Sequence, residues 1–334
     1  MEPKPILIDA LARADDLASL WNASAGREFP LDRRLLTQQL TMDTDPRRCL
    51  AFAEPDGSLA AAILAKRAAR PGASGETPPV GYISFLAVAP ARRRRGLGTA
   101  LADEAGAWLA STGAARIRVG SDHYHLLPGR PVEAGEGYDA LGAFLRARGF
   151  RDEGAEYDLV SDLSAGGGRP VDGRRSRVDP RYTFRPYRPG EREAVVAFMR
   201  GNFPGRWAQE IEEALDAGMR PSDLFLAVDS EDGAVVGFSR VYDGSSPVLG
   251  PGVYWRGIMG EAPGGLGPIG VDASRRGAGI GLGLLQRCVD ELRSRGVGIM
   301  VIDWTDLIDF YGKIGFKVWK RYEAMSAEIG RPLR

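Results

Sequence analysis

Apolar positions along the chain fall into short blocks separated by turns, and the same succession of blocks occurs twice. In the first half, RCLAFAEPDG and SLAAAILAKRAAR predict two strands around an Asp-Gly turn, and VGYISFLAVAP predicts a third strand. In the second half, DLFLAVDSEDG, AVVGFSRVYDG and GGLGPIGVDA repeat this order. Each third strand runs into an Arg- and Gly-rich turn that is followed by an amphipathic helical pattern.

The second helical pattern places its apolar residues on one face, which comprises Ile280, Leu284, Leu285, Cys288 and Leu292. Each helix leads into another apolar strand, ARIRVG or GIMVIDW, and then into a short helix that ends in a Gly-Phe pair. This order predicts an α/β fold in which a mixed sheet is flanked by helices, present twice in the chain.

The spacing of the turn residues supports an internal repeat. Four residues of the first turn recur in the second turn at one constant offset of 183 positions (271 minus 88). The matched pairs are Val88 and Val271, Arg93 and Arg276, Gly96 and Gly279, and Gly98 and Gly281. Four matches at one offset in matched strand-turn-helix contexts indicate a duplication.

Length and composition agree with two globular domains. The chain has 334 residues, more than one hydrophobic core usually organises. The segment 164–180 combines Gly, Pro, Ser and Arg with few apolar residues, which is typical of a linker. We therefore predict a first domain over 1–163, a linker over 164–180 and a second domain over 181–334.

Charge, hydropathy and cysteine content exclude several classes of protein. The 44 basic and 44 acidic side chains balance, so net charge gives no support for nucleic-acid binding. The sequence shows neither a run of about 18 apolar residues nor a secretory signal, and we expect a cytoplasmic protein without membrane contact. Its two cysteines, Cys49 and Cys288, form no disulfide framework or zinc cluster, and we predict no metal site.

The two Arg- and Gly-rich turns suit a bound anion. Gly permits close approach of the backbone to a ligand, and a helix N-terminus presents free N–H groups to a phosphate. Arg side chains are available from Arg92 to Arg95 and at Arg275 and Arg276. Neither turn has the Gly-Lys-Ser/Thr ending of a nucleotide triphosphatase loop or the dinucleotide pattern GxGxxG. A pyrophosphate site of another kind is therefore predicted, although solvated Arg residues in a plain turn are the alternative.

The pattern VAPARRRRGLG, and VDASRRGAGIG with Ala273 in place of Pro, resembles the coenzyme-A motif of the GCN5-related N-acetyltransferases, the GNAT family. The resemblance covers both halves and implies two tandem GNAT-like domains with splayed sheets that use acetyl-CoA. It also implies that pantetheine inserts beside the splayed strand, at 85–89 and 269–273, whose amides polarise the acetyl carbonyl. Proline cannot donate to a strand ladder, so the Gly267-Pro268 pair is a candidate for the splay.

The resemblance assigns coenzyme-A contacts in both halves. In the first half these are Val88, Arg93, Arg94, Arg95, Gly96, Leu97, Gly98 and Thr99. In the second half they are Ile269, Val271, Arg275, Arg276, Gly277, Ala278, Gly279, Ile280 and Gly281.

The halves differ where the resemblance places the proton donor. The second half ends in FYGKIGF, in which the family's Tyr corresponds to Tyr311, whereas the first half has FLRARGF with Leu145 at that position. A Tyr with a pKa near 10 can protonate a departing thiolate, and Leu cannot. We predict that the second domain is catalytic and that the first is degenerate. A core aromatic is the alternative for Tyr311.

A base must deprotonate the acceptor amine, and the second half contains no His. Asp303, Asp306 and Glu261 are the carboxylate candidates, with a solvated or capping role as the alternative for each. Cys288 lies on an apolar helix face, so we expect direct attack by the amine rather than a covalent intermediate.

The first half is longer between its motif and its Gly-Phe pair, by a segment that contains His123 and His125. His-x-His could ligate a metal, but no further ligands are evident nearby, and we expect a surface or interdomain loop.

Three functions are open at this point. The first is an N-acetyltransferase acting on a small-molecule amine. An amino sugar would suit the acidic candidates together with Trp207, Tyr254, Trp255 and Trp304. The second is a protein N-terminal or lysine acetyltransferase, and the third is a non-catalytic acyl-CoA sensor or scaffold. The sequence leaves the oligomeric state undetermined.

Overall fold

The computed structural model describes residues 4–25, 28–68, 79–132, 136–171 and 178–329. Contacts divide the chain into two compact units. The first unit is Met1–Glu156 together with Lys320–Arg334, and the second unit is Tyr157–Trp319. The boundaries of these units differ from the predicted boundaries at 163 and 181. They differ because residues of the last strand of each sequence half belong to the other unit. The boundaries of the repeated halves stay a prediction.

The elements follow the order that the apolar blocks predict. Those of the first half are β1 (Ile6–Ile8), α1 (Ala14–Ala25), α2 (Arg33–Met42), β2 (Arg47–Ala53), β3 (Leu59–Arg67), β4 (Val80–Val88), α3 (Leu97–Ser111), β5 (Arg116–Val119), β6 (Arg130–Val132), α4 (Glu136–Ala147) and β7 (Arg151–Asp162). Those of the second half are β8 (Tyr182–Pro186), α5 (Arg192–Asn202), α6 (Arg206–Asp216), β9 (Leu224–Asp229), β10 (Val235–Asp243), β11 (Pro263–Val271), α7 (Ile280–Ser294), β12 (Ile299–Thr305), α8 (Ile308–Gly312) and β13 (Lys317–Glu328).

Each unit contains a mixed sheet. In the first unit the order is β1-β2-β3-β4-β5-β13, with β6 also paired to β13. In the second unit the order is β7-β12-β11-β10-β9-β8. One neighbouring pair in each of these orders is parallel, β4 with β5 and β11 with β12. The predicted α/β fold with a mixed sheet flanked by helices, present twice, is confirmed.

The core of the second unit forms around α7. All five residues of its predicted apolar face are buried. Four of them pack with Leu266, Met300 and Tyr311, whereas Ile280 packs with Ala227 and Val236. Burial raises the pKa of the Cys288 thiol to about 12, so the reactive thiolate is scarce at neutral pH. No described helix is both long enough and apolar enough to cross a membrane.

The parallel strands of each unit separate at a bulge. Pairing of β4 with β5 ends at Ile83, directly before the extra residue Ser84 in β4. Pairing of β11 with β12 ends at Leu266, and the register of β11 against β10 shifts across Gly267 and Pro268. The predicted position of the splay is confirmed. The strands themselves end at Val88 and Val271, earlier than the predicted ranges 85–89 and 269–273.

The segment with the two histidines is largely buried, so the predicted surface loop is wrong, whereas the alternative of an interdomain loop stays a prediction. Asp122, His125, Leu126 and Leu127 are all at most 6% exposed. The Ser84 hydroxyl donates a hydrogen bond of 2.9 Å to Asp122, and Lys66 forms ion pairs with Asp43 and Asp122. These residues therefore belong to the interior of the first unit.

Candidate active site

The turn before α7 has the backbone that an anion site requires. Gly279 is the N-cap of α7 with φ of 77°, and Gly96 is the N-cap of α3 with φ of 80°. L-residues with a side chain rarely adopt this left-handed conformation, which explains the two glycines. Among the described residues no side chain caps either helix, so the first N–H groups are available to a phosphate. The turn therefore fits a pyrophosphate.

The arginine shared by the two motifs has a role that the sequence did not show. Nε of Arg276 donates a hydrogen bond of 3.4 Å to the carbonyl of Val271, and Nε of Arg93 donates one of 3.3 Å to the carbonyl of Val88. Each arginine thus ties the turn to the end of the preceding strand. Arg275 lies 3.6 Å from the Asp229 carboxylate.

The other predicted coenzyme-A residues lie on these strand ends, turns and helix starts. In the second unit they are Ile269, Val271, Gly277, Ala278, Ile280 and Gly281, and in the first unit they are Val88, Arg94, Arg95, Leu97, Gly98 and Thr99.

Tyr311 lies on α8 and is 4% exposed. Its ring packs edge-on against Phe310 and Phe316, at centroid distances of 5.0 and 6.3 Å. Burial, and then the charges of Asp303 and Asp306, raise the pKa of Tyr311 above its usual value. The hydroxyl is therefore protonated at neutral pH, and both of the nearby carboxylates belong to the predicted candidates.

Asp303 lies where β11 and β12 separate. A methyl group on Gly267 would collide with Oδ1 of Asp303, so glycine at the bulge makes room for this carboxylate. Burial raises the pKa of Asp303 to about 8, with repulsion from Asp158 as the next contribution, while Arg206 acts in the opposite direction. Among the predicted carboxylates, Asp303 directly contacts the splayed strand.

The remaining two carboxylates are both exposed, and they lie in different places. Asp306 precedes α8 and is close enough to Tyr311 to influence its pKa. Glu261 lies before β11, six residues from Gly267, which corresponds to about 20 Å of extended strand. The structure thus brings Asp303, Asp306 and Tyr311 together and leaves Glu261 at the other end of β11.

Several residues near Asp303 escaped the sequence analysis. The Arg206 guanidinium lies 4.1 Å from the centroid of the Trp304 ring and 3.2 Å from the Glu210 carboxylate. The Tyr242 hydroxyl donates a hydrogen bond of 2.9 Å to the carbonyl of Gly267. The sequence signal for these residues was the spacing of Arg206 and Glu210, four residues apart on an amphipathic helix. Such pairs are common on helix surfaces and do not indicate a site.

The four aromatic residues considered for substrate binding occupy different environments. Tyr254 and Trp255 are at most 5% exposed and belong to the interior. Trp207 packs against Phe203 at a centroid distance of 5.5 Å. Trp304 is only partly buried, and it follows Asp303 directly.

Comparison with known sequences identifies the family. The model of the acetyltransferase (GNAT) family matches residues 14–125 and 192–316, which together are more than half of the chain. This chain belongs to the GNAT family. The protein is a tandem GNAT acetyltransferase, and members of this family generally use acetyl-CoA as the acetyl donor.

The named relatives match most or nearly all of this chain. A mycothiol acetyltransferase from Thermobifida fusca (strain YX) is 27% identical over 249 residues, which is 70% of this chain and 71% of the relative. A tandem GNAT protein from the clavulanic acid biosynthesis pathway has a TM-score of 0.68 at 19% identity, covering 98% of both chains.

A glucosamine N-acetyltransferase region of a fungal multi-domain GH3 β-N-acetylglucosaminidase has a TM-score of 0.82 at 23% identity. It covers 98% of this acetyltransferase, which spans 38% of the fungal chain. At this identity the likeness establishes the fold alone.

The first unit of the acetyltransferase has neither the carboxylate nor the phenol at the positions that match Asp303 and Tyr311. The offset of 183 pairs Asp303 with Gly120, and the FLRARGF phrase pairs Tyr311 with Leu145. A Cβ at Gly120 would lie 2.5 Å from the carbonyl oxygen of Leu127, so the buried histidine segment occupies this space. Leu145 is 1% exposed in the core of the first unit.

Proposed function

We propose that the second unit transfers the acetyl group of acetyl-CoA to a primary amine of a small molecule, with Asp303 as the base and Tyr311 as the proton donor. The observation that carries this proposal is the position of Asp303 against Gly267, at the point where β11 leaves β12. The first unit is proposed to hold coenzyme A without turnover, because it retains the turn and lacks both side chains.

The pKa of Asp303 suits its proposed role. An ordinary Asp has a pKa of about 3.9, roughly four units below an α-amino group near 8. A pKa of about 8 gives the Asp303 carboxylate nearly the same proton affinity as the substrate amine. General base catalysis is efficient when the two affinities are close. Asp303 takes the proton of the ammonium, and the freed nitrogen can then attack.

Tyr311 acts at the other end of the reaction. Bound acetyl-CoA supplies a thioester whose carbon–sulfur bond breaks as the amine nitrogen bonds to the acetyl carbon. Tyr311 donates its phenolic proton to the departing sulfur. The nitrogen loses its second proton as the amide forms, which restores the proton of Tyr311 through solvent, and Asp303 releases the first proton to solvent. The raised pKa keeps Tyr311 protonated before the step but makes it a weaker acid than free tyrosine, so catalysis depends on its position on α8.

The charges around Asp303 favour a cationic acceptor. Asp303 is negatively charged in its basic form, and Glu210 adds a second carboxylate near it, so the deprotonated site attracts a cation. The names of two relatives refer to mycothiol and glucosamine, both small molecules. These observations favour a small amine, including an amino sugar, over a protein N-terminus or lysine side chain.

An acceptor panel tests the proposed activity. Coenzyme-A release would be measured with glucosamine, other small amines, and peptides with a free N-terminus or lysine. We expect turnover with small amines, and we expect Asp303→Asn to lower kcat/KM by about 10² to 10⁴. Asp216→Asn, an exposed change at the far end of α6, is the matched control.

Three results would contradict the proposal in different ways. Turnover confined to peptides would replace the acceptor class with a protein substrate. Acetyl-CoA binding without turnover for any amine would favour the sensor or scaffold. Full activity of Asp303→Asn would remove Asp303 from the mechanism while leaving the acetyltransferase activity intact.

A further inference from the structure

A second bulge lies beside the site, in β12 where it pairs with β7. Ile302 is opposite Leu159 and Thr305 is opposite Tyr157, so two residues of β12 face one residue of β7. The two residues are Asp303 and Trp304, and the residue that faces them is Asp158. Bulges of this kind redirect side chains next to active sites.

The bulge places Trp304 in an unfavourable backbone conformation. Its φ is 40°, in the left-handed region that a bulky residue rarely adopts. Such a conformation is unfavourable for a bulky residue and persists only when neighbouring contacts hold it. A contact that stabilises Trp304 in this conformation also fixes the direction of the preceding residue, Asp303.

Asp158 provides that contact. Its Oδ1 accepts a hydrogen bond of 3.1 Å from the backbone N–H of Trp304, and its Oδ2 accepts one of 3.3 Å from the indole N–H of Trp255. The residue is 3% exposed. Asp158 lies outside both segments that the family model matches.

We propose that Asp158 is a positioning residue for acetyl transfer, because its carboxylate holds the β12 bulge that directs Asp303 against Gly267. The inference rests on the proposed function, in which Asp303 is the base. Asp158 itself need not contact either substrate.

The charge environment of Asp303 supports this role. After burial, repulsion from Asp158 is the largest influence that raises the pKa of Asp303. The other titratable or charged groups that interact with Asp303 come from α6, β10, the turn before β11, and α8; they are Arg206, Glu210, Tyr242, Tyr254 and Tyr311. Asp306, in the segment before α8, interacts with Tyr311 beside it. Arg206 opposes Asp158, so removal of Asp158 leaves Arg206 as the largest charge effect on Asp303 and lowers the pKa, while burial still raises it.

The test compares pH profiles of Asp158→Asn and wild type. A base must be deprotonated, so the rate rises as the pH passes the pKa of Asp303. Loss of the Asp158 charge lowers that pKa, and we expect the acid limb of kcat to move down by roughly half to one pH unit. The plateau should also fall, because Asn can accept only one of the two hydrogen bonds. Asp216→Asn should leave the profile in place.

A structural role alone would lower the plateau without moving the acid limb, and that result in a folded Asp158→Asn protein overturns the inference. If Asn prevents folding, Asp158→Ser removes the same charge in a smaller side chain and carries the same expectation. The Asp303→Asn profile separates the two proposals. An acid limb that persists in Asp303→Asn refutes the proposed base, whereas a limb that depends on Asp303 but not on Asp158 refutes only the positioning role.

Discussion

The two helix-start glycines offer a matched pair of substitutions, Gly281→Val and Gly98→Val. Each glycine is the second residue of its helix, α7 or α3. A Cβ at Gly281 would lie 3.6 Å from Val271 and 3.7 Å from Phe310, and a Cβ at Gly98 would lie 3.7 Å from Val88. The same change therefore meets nearly the same surroundings in the two units.

The distances set the expected magnitude. A single Cβ fits at ordinary contact distance, so Gly→Ala at either position should be tolerated. The two γ carbons of Val reach about 1.5 Å further and crowd the space between the helix start and the strand end, where phosphate would meet N–H groups. A lost hydrogen bond to a charged group is worth about 1.5–3 kcal/mol, so Gly281→Val should weaken acetyl-CoA binding by roughly 10- to 150-fold.

Calorimetry with acetyl-CoA and an assay of coenzyme-A release would measure binding and turnover, after thermal unfolding shows each variant to be folded. We expect Gly281→Val to weaken binding at the second unit's site and to lower turnover together, while a site in the first unit remains. Gly98→Val should retain turnover within about twofold and remove at most one binding site. Gly281→Ala is the control for loss of glycine without β-branching.

One pair of results would refute the division of labour. A stably folded Gly98→Val protein without turnover, beside a fully active Gly281→Val protein, would place the chemistry in the first unit. Equal loss of turnover in both variants would show that each unit contributes to catalysis.

Three further outcomes follow from buried or charged groups. Tyr311→Phe should lower kcat by about 10² to 10⁴ with little change in acetyl-CoA affinity, and unchanged kcat with rate-limiting chemistry would remove Tyr311 from the mechanism. Lys66→Met should lower the free energy of unfolding in urea by about 3–5 kcal/mol, because it leaves Asp43 and Asp122 buried without their cation. Despite burial, hydrogen bonds to its charged form hold the pKa of Asp243 at about 2. Its stabilising contribution, complete above pH 4, should therefore disappear between about pH 4 and 2 in urea titrations, and a flat profile there would contradict this.

The sequence predicts those parts of the site that depend on local pattern. Gly279 and Gly96 each occupy a left-handed position in a turn, which requires glycine. The order of apolar blocks predicts β9, β10, β11 and α7. The Gly267-Pro268 pair marked the splay because proline cannot pair there. These features were predictable because each one depends on a few adjacent residues.

Other parts of the site depend on residues far apart in sequence. Asp158 reaches Trp304 only because β7 pairs with β12, and the sequence pattern does not specify that pairing. The pKa of Asp303 depends on burial by several elements and on charges from β7 and α6. Glu261 lies about one strand length away from Gly267. This separation could be recognised only from the register of β11.

The offset of 183 separates what the duplicated units share from what they do not. It pairs Trp304 with Ser121, and both residues have a positive φ, 40° and 57°. It also pairs Gly267 with Ser84, and a bulge occurs at each. The backbone of the site thus recurs at these two positions, whereas the residue matched to Asp303 is Gly120, which leaves its space to Leu127. The carboxylate that does lie beside Ser84, that of Asp122, forms an ion pair with Lys66. Coenzyme-A binding draws mainly on backbone groups, and proton transfer draws on side chains. A copy that retains the backbone and loses the side chains can therefore be expected to bind the donor without transferring its acetyl group.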